Sequence, residues 1–182
     1  LFDEKPMLLR LAATLTRQWI DTSRELVERL AADLDLLRRE LLPLPAGARV
    51  TGVEGGQSDR HNDGHSVLIL TFEDGSRVVY KPKDLRLDTA WHAMVSRLNH
   101  ANPPFELRAV RSIARGSYGW TEFIEHTGCE DDAGPDLFFR RAGGWLALFH
   151  CFAATDMHQE NIIAAGAHPV PIDLETLPQA SS

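Results

Sequence analysis

The chain has very few cysteines. Only Cys129 and Cys151 occur among its 182 residues, and they form no Cys-x-x-Cys pair. Zinc knuckles and disulfide frameworks both require several cysteines at short, regular spacings. The sequence therefore predicts neither a structural zinc site nor a disulfide-stapled secreted domain, and we expect both thiols to be buried or free.

Two other features are missing: a surplus of basic residues and a long apolar run. Nineteen Lys and Arg residues stand against twenty-six Asp and Glu residues, a net charge of −7, which argues against binding nucleic acid or an anionic membrane. No apolar run approaches the ~20 residues of a membrane-spanning helix, and no secretory signal pattern opens the chain. We predict a cytoplasmic protein with no membrane span. The start at Leu1, without an initiator Met, suggests a piece of a longer protein.

The first 46 residues have the apolar spacing of helices. Leucines and Trp19 recur at intervals of three and four from Pro6 to about Leu42, which predicts a helical stripe that serves as core or docking surface. Thr22 to Glu25 has the form of a capping box, so we expect two helices that separate near Asp21. We assign residues 1–46 to an N-terminal helical segment.

Residues 47–127 have the order of parts of a kinase small lobe. A polar, glycine-bearing loop at Gly55–Gly64 precedes a strand at Val67–Phe72, and a turn leads into a second strand at Arg77–Lys81, which predicts a hairpin. Lys81 at the end of this hairpin is then the lysine that binds nucleotide phosphates; a solvated surface lysine beside Pro82 is the competing interpretation. A helix and two further strands are predicted at 87–98, 107–113 and 119–124.

The pattern that carries chemistry lies in residues 128–182, the predicted start of a large lobe. After an apolar helix at 137–153 come Asp156, Asn161 five positions later, and Asp173 after a short apolar run. This layout is typical of a phosphoryl-transfer catalytic loop, in which an Asp accepts the hydroxyl proton while Asn and a second Asp hold magnesium. Two short buried strands joined by a turn around Gly166 would bring Asn161 and Asp173 to the same end. The competing interpretation is that Asp156, His158 and Asn161 cap a helix end or turn. We expect His150, on the apolar helix, to be a core residue.

Four blocks in this order resemble the dehydratase domain of class II lanthipeptide synthetases, the LanM family, from about Pro6 to Leu177. The blocks are Asp59-Arg60-His61, Tyr80-Lys81-Pro82-Lys83, Asp156 to Asn161, and Ile172 to Leu177. The resemblance implies an α+β, lipid-kinase-like, two-lobed fold with N-terminal helical decoration, its large lobe truncated here. It also implies an enzyme that uses ATP and Mg²⁺ to phosphorylate Ser and Thr of a ribosomal precursor peptide, then eliminates phosphate to give dehydroalanine and dehydrobutyrine.

The resemblance also implies a role for each matching position. Lys81 would bind the ATP phosphates, and Asp156 would activate the substrate hydroxyl. Asn161 and Asp173 would hold magnesium, with Glu175 in the same segment. Asp59, His61 and His158 would lie at the phosphate region and take part in elimination. The implied partners are the leader and Ser/Thr-rich core of the precursor and the rest of the synthetase, including a zinc cyclase domain. The sequence departs from the family at Ser58 and His65, where the family often has Gly and Arg. Without Arg, His65 could replace a fixed bidentate cation only in part.

Two alternatives stay open. One is a small-molecule phosphotransferase of the aminoglycoside or homoserine kinase type, which shares the Asp-x-His-x-x-Asn loop but does not usually combine the Asp59–His61 loop with the Tyr80-Lys81-Pro82 block. The other is an inactive remnant that binds a leader peptide through its leucine-rich N-terminal helices. The sequence does not identify the acidic partner of Lys81.

Overall fold

The computed structural model describes residues 5–45, 47–55, 65–152, 154 and 157–173. Within these residues the chain is a mixture of helices and antiparallel strands. It divides into two compact units, Leu1–Lys83 and Asp84–Ser182, and each is described by itself.

The first unit begins with one long helix, α1 (Pro6–Glu40). The predicted break near Asp21 was wrong. The Thr22 hydroxyl donates to the carbonyl oxygens of Gln18 and Trp19 at 2.9 and 3.2 Å, so it bonds within the helix and does not cap a new one. Pro6 sits at the helix start, where its missing N–H costs nothing.

The solvent exposure of the apolar stripe of α1 changes along the helix. In the C-terminal half Leu26 and Leu37 are buried, whereas in the N-terminal half Leu11 is 56% and Trp19 is 70% exposed. Only the second half of the stripe is therefore part of the core. The first half presents an exposed apolar face.

Three antiparallel strands complete the first unit in the order β1-β2-β3. They are β1 (Val50–Gly55), β2 (Leu68–Phe72) and β3 (Arg77–Lys81). The predicted hairpin of β2 and β3 is confirmed, and its turn places Gly75 at φ +82°, a conformation that favours glycine. The Asp74 carboxylate accepts hydrogen bonds from the Ser76 N–H and hydroxyl, and these bonds lower the pKa of Asp74. Strand β1 was not predicted.

The second unit contains two helices and a short hairpin before the candidate site. They are α2 (Arg86–His100), α3 (Gly134–Cys151), β4 (Ser112–Ala114) and β5 (Gly119–Glu122). Strand β4 is much shorter than predicted, because the backbone that precedes it is hydrogen-bonded by side chains. The Asn99 amide bonds both the N–H and the carbonyl of Leu107 at 3.0 and 2.7 Å, and the Arg111 N–H donates to the Glu122 carboxylate.

An aromatic cluster joins α2 to α3 in the core of the second unit. Trp91, Trp145 and Phe149 stack with ring centroids 5.6 to 6.2 Å apart. Phe152 meets the edge of Trp91 at 5.4 Å. The expectation that His150 belongs to the core was wrong, because it follows Phe149 by one position and therefore lies about 100° further around the helix, on the exposed side.

Both cysteines are free and exposed, so the expectation of free thiols is confirmed. Across the part of the chain that is described, no helix is both long and apolar enough to cross a membrane.

Gly119 at the start of β5 leaves no room for a side chain. A Cβ there would lie 2.5 Å from the Ile113 carbonyl oxygen and 2.5 Å from a Leu85 methyl group. We expect Gly119→Ala to lower the free energy of unfolding by about 2 kcal/mol, measured by urea denaturation followed by circular dichroism. Gly143, in α3, has nothing within 4 Å of an added Cβ, so Gly143→Ala should raise stability by up to about 1 kcal/mol. Equal stability of the two variants would contradict this packing.

Candidate functional site

The predicted metal-binding residues flank a hairpin in the second unit. Strands β6 (Ile162–Ala165) and β7 (His168–Pro171) pair antiparallel, and Ile162 faces Pro171 at the open end. The Ile172 N–H donates to the Asn161 carbonyl oxygen at 2.9 Å. The hairpin predicted from the sequence is confirmed, and it brings Asn161 and Asp173 to the same end. Strand β6 is half-buried, whereas most of β7 is buried.

The closed end of this hairpin is tied to the rest of the second unit. Thr127 donates to the Ala164 carbonyl and accepts from the Gly166 N–H, at 2.9 and 3.1 Å. From α3, the Arg141 guanidinium donates to the Ala167 carbonyl at 2.9 Å. These bonds fix the turn from two sides, so the position of the open end is determined by the surrounding fold.

His158 holds the start of the hairpin. It caps a 3₁₀-helix at Gln159–Asn161, and its Nδ1 accepts from the Glu160 N–H at 3.3 Å. Its Nε2 lies 3.4 Å from the side-chain nitrogen of Asn161. The competing interpretation of His158 as a cap is thus confirmed. The ring of His158 also contacts the side chain of Asn161.

Met157 anchors the same segment to the core. Its side chain is partly buried and packs against the aromatic cluster of Trp91, Trp145 and Phe149. His158 therefore follows a residue that is fixed by packing between α2 and α3. Any loosening of the cluster is transmitted directly to the segment that carries Asn161.

Lys81 ends strand β3 of the first unit. It is only 8% exposed, so the competing interpretation of a solvated surface lysine is wrong. A buried ammonium group is strongly disfavoured unless charges or hydrogen-bond acceptors compensate it. The burial of Lys81 therefore requires compensating partners around its ammonium group.

A polar network that the sequence did not predict connects α1 to the strands of the first unit. His65 Nε2 lies 3.1 Å from the Glu25 carboxylate, which also pairs with Arg29 at 3.1 Å. Arg29 in turn donates to the Tyr80 hydroxyl, and Tyr80 directly precedes Lys81. His65 is therefore engaged by a carboxylate. The only sequence signal for this network was the spacing of Glu25 and Arg29, one helical turn apart.

Residues 6–182 match the sequence profile of DUF4135, described as a domain of unknown function. The chain belongs to the DUF4135 family. This domain is found in lanthionine synthetase-like proteins.

The DUF4135 chain is also similar to a biosynthetic protein of Lactococcus lactis subsp. lactis. It is 26% identical over 129 residues to the lacticin 481/lactococcin biosynthesis protein LcnDR2. The aligned part covers 66% of this chain and 14% of that relative. The chain is therefore related to lanthipeptide biosynthesis proteins and spans a small part of the length of this relative.

Half of the predicted site residues of the DUF4135 chain fall in parts that are described. Lys81 lies in the first unit, and His158, Asn161 and Asp173 lie together in the second. The others lie outside the described residues: Asp59, His61, Asp156 and Glu175. The assignment of roles to all eight stays a prediction.

The residues at the open end of the hairpin fit the oxygen chemistry that magnesium prefers. Among the residues that are described, no group of three or more His, Cys, Asp and Glu side chains could hold a metal ion. The predicted site is of another kind, because it uses the amide oxygen of Asn161 and the carboxylate of Asp173. Mg²⁺ is typically held by one or two protein oxygens together with water and substrate phosphates. Two such side chains at one hairpin end are compatible with that pattern.

Proposed function

We propose that this chain is part of the dehydratase domain of a LanM-type lanthipeptide synthetase, with a kinase-like, two-lobed fold. In this proposal it phosphorylates Ser and Thr of a precursor peptide with ATP and then eliminates the phosphate. The observation that carries the proposal is the meeting of Asn161 and Asp173 at one hairpin end, with His158 in contact with Asn161. Membership of the DUF4135 family and the similarity to LcnDR2 support the lanthipeptide context.

Phosphoryl transfer requires positive charge around the transferring group. Lys81 supplies a buried cation at the end of β3 and binds the nucleotide phosphates. Asn161 and Asp173 would hold Mg²⁺, with Glu175 in the same segment. When bound, the ion neutralises charge on the phosphates of ATP. The anchored hairpin keeps the two oxygen ligands in place without reorganisation during the reaction.

The substrate hydroxyl must lose its proton as it is phosphorylated. We propose that Asp156, five positions after the end of α3 in sequence, accepts that proton. Elimination then breaks the Cα–H and Cβ–O bonds, forms the Cα–Cβ double bond and releases inorganic phosphate. It needs a base for the α-proton and a protonated or cationic group for the departing phosphate, and the candidates are Asp59, His61 and His158.

The partners follow from this chemistry. The substrate is a ribosomal precursor peptide with a leader and a Ser/Thr-rich core. The similarity to LcnDR2, a lacticin 481/lactococcin biosynthesis protein, is consistent with a peptide substrate. Ring formation belongs to a zinc cyclase domain elsewhere in the synthetase, and the reaction takes place in the cytoplasm, where ATP is available.

The first test is calorimetric titration of the chain with ATP in the presence and absence of Mg²⁺. We expect binding that requires Mg²⁺ and that weakens at least about tenfold in Lys81→Ala, because a charge-assisted hydrogen bond to phosphate contributes about 1.5–3 kcal/mol. Lys5→Ala, which removes an exposed lysine before α1, is the control and should bind like the parent chain. If folded Lys81→Ala binds ATP as tightly as Lys5→Ala, the nucleotide role of Lys81 is wrong.

A further inference from the structure

A polar cavity of about 460 Å³ lies within the second unit, and its lining includes none of the described residues assigned to phosphoryl transfer. Helix α2 contributes His92 and Asn99, the following segment contributes Arg108 and Arg111, and strands β5 and β7 contribute Glu122 and His168. Nothing in the proposed mechanism uses these side chains.

Glu122 lines this cavity and pairs with both Arg108 and Arg111. Its side chain is only 10% exposed. Its carboxylate accepts from the Arg111 N–H at 2.8 Å and lies 3.4 Å from the Arg111 guanidinium and 3.7 Å from that of Arg108. Two cations around one carboxylate leave an excess of positive charge on this side of the cavity. Glu106 also lines the cavity and, like Arg108 and Arg111, is exposed to solvent.

Arg108 is the cation with spare hydrogen-bonding capacity. Its ion pair with Glu122, at 3.7 Å, is longer than a hydrogen bond, and 42% of its side chain is exposed. A guanidinium group has five N–H donors arranged in a fork that matches phosphate and carboxylate oxygens. Arg108 is therefore held in place by charge while its donors stay available to a ligand.

His168 supplies a second unused polar group. Its Nδ1 is buried and has no hydrogen-bond partner in the described part of the chain, an arrangement that costs about 1–3 kcal/mol. Burial lowers the pKa of His168, and the charges of Arg141 and Arg108 lower it further against the opposing effect of Glu106. Burial and the neighbouring guanidinium groups thus disfavour the charged form of the imidazole.

We propose that this cavity binds the phosphate or carboxylate group of a small anionic ligand, with Arg108 as the charged donor and His168 as a neutral acceptor. A hydrogen phosphate group has the required chemistry, because its anionic oxygens accept from the guanidinium while its O–H donates to an imidazole nitrogen. Arg111 and Glu122 keep Arg108 in position. The site does not depend on the proposed dehydratase function.

The test is an NMR titration of the isotope-labelled chain with inorganic phosphate at pH 7. We expect saturable shifts of the His168 imidazole and of the Ala109 amide, and an affinity at least about tenfold lower in Arg108→Gln because a charge-assisted bond is lost. Arg140→Gln is the control. Arg140 is 66% exposed, pairs with Asp136, and lies outside this cavity, so its variant should bind phosphate like the parent chain.

Two further variants keep the test decisive. If Arg108→Gln does not fold, His168→Phe takes its place and should abolish the saturable shift at Ala109. Lys81→Ala separates this site from the proposed nucleotide site, because the His168 shifts should persist in that variant. No saturable shift at His168 or Ala109 at tens of millimolar phosphate, or equal affinity in the parent chain and Arg108→Gln, would overturn the proposal.

Discussion

Trp145→Ala is expected to lower the free energy of unfolding of the second unit by about 3–5 kcal/mol, as removal of a fully buried aromatic side chain does. Trp145 is 2% exposed and stacks against both Trp91 and Phe149. Its loss leaves a cavity between α2 and α3 that rigid neighbouring rings cannot fill. Urea denaturation followed by circular dichroism and by fluorescence of the remaining tryptophans measures the change.

Phe139→Ala is the matched control on the same helix. Phe139 is 72% exposed, so its truncation should change the stability by less than about 0.5 kcal/mol. Similar losses for both variants would mean that the cluster is not the core of this unit. The Trp145 variant should also loosen Met157, which packs on the cluster, and therefore the segment that carries His158 and Asn161.

The parts of the fold that could be predicted are those defined by local patterns. Helices α2 and α3 and the β2–β3 and β6–β7 hairpins follow from apolar periodicity and turn residues close together in the chain. The break predicted in α1 failed because a capping-box pattern also occurs inside a helix, where Thr22 bonds the preceding turn. Strand β4 was overestimated because the side chains of Asn99 and Glu122, eight and eleven positions from the residues that they bind, hydrogen-bond the backbone before it.

The same distinction applies to the candidate site, whose local features could be predicted from the sequence and whose long-range contacts could not. The shared end of Asn161 and Asp173 was predictable because a tight hairpin is a local structure. The network of Glu25, Arg29 and Tyr80 was not, because Arg29 and Tyr80 are 51 positions apart and only the packing of α1 brings them together. The burial of Lys81 likewise depends on tertiary structure; the sequence placed it on a strand but did not distinguish a buried lysine from an exposed one.

Asp173→Ala is expected to remove the magnesium dependence of ATP binding and to weaken ATP binding in saturating Mg²⁺ by about two orders of magnitude, roughly 2.7 kcal/mol. A carboxylate contributes most of the charge that holds Mg²⁺, whereas an amide oxygen contributes none. Asn161→Ala should therefore also weaken magnesium-dependent ATP binding, but by a smaller factor. Calorimetric titrations at several Mg²⁺ concentrations measure both.

The double variant decides whether the two residues hold one ion. Because Asn161 and Asp173 flank the same hairpin end, loss of either ligand should already release the ion, so the combined loss in binding energy should be clearly less than the sum of the single losses. Asp132→Ala, which removes an exposed carboxylate before α3, controls for the change in net charge and should leave ATP binding unchanged. Strictly additive losses would show that the two side chains act separately, and magnesium-dependent binding by Asp173→Ala would remove Asp173 from the metal site.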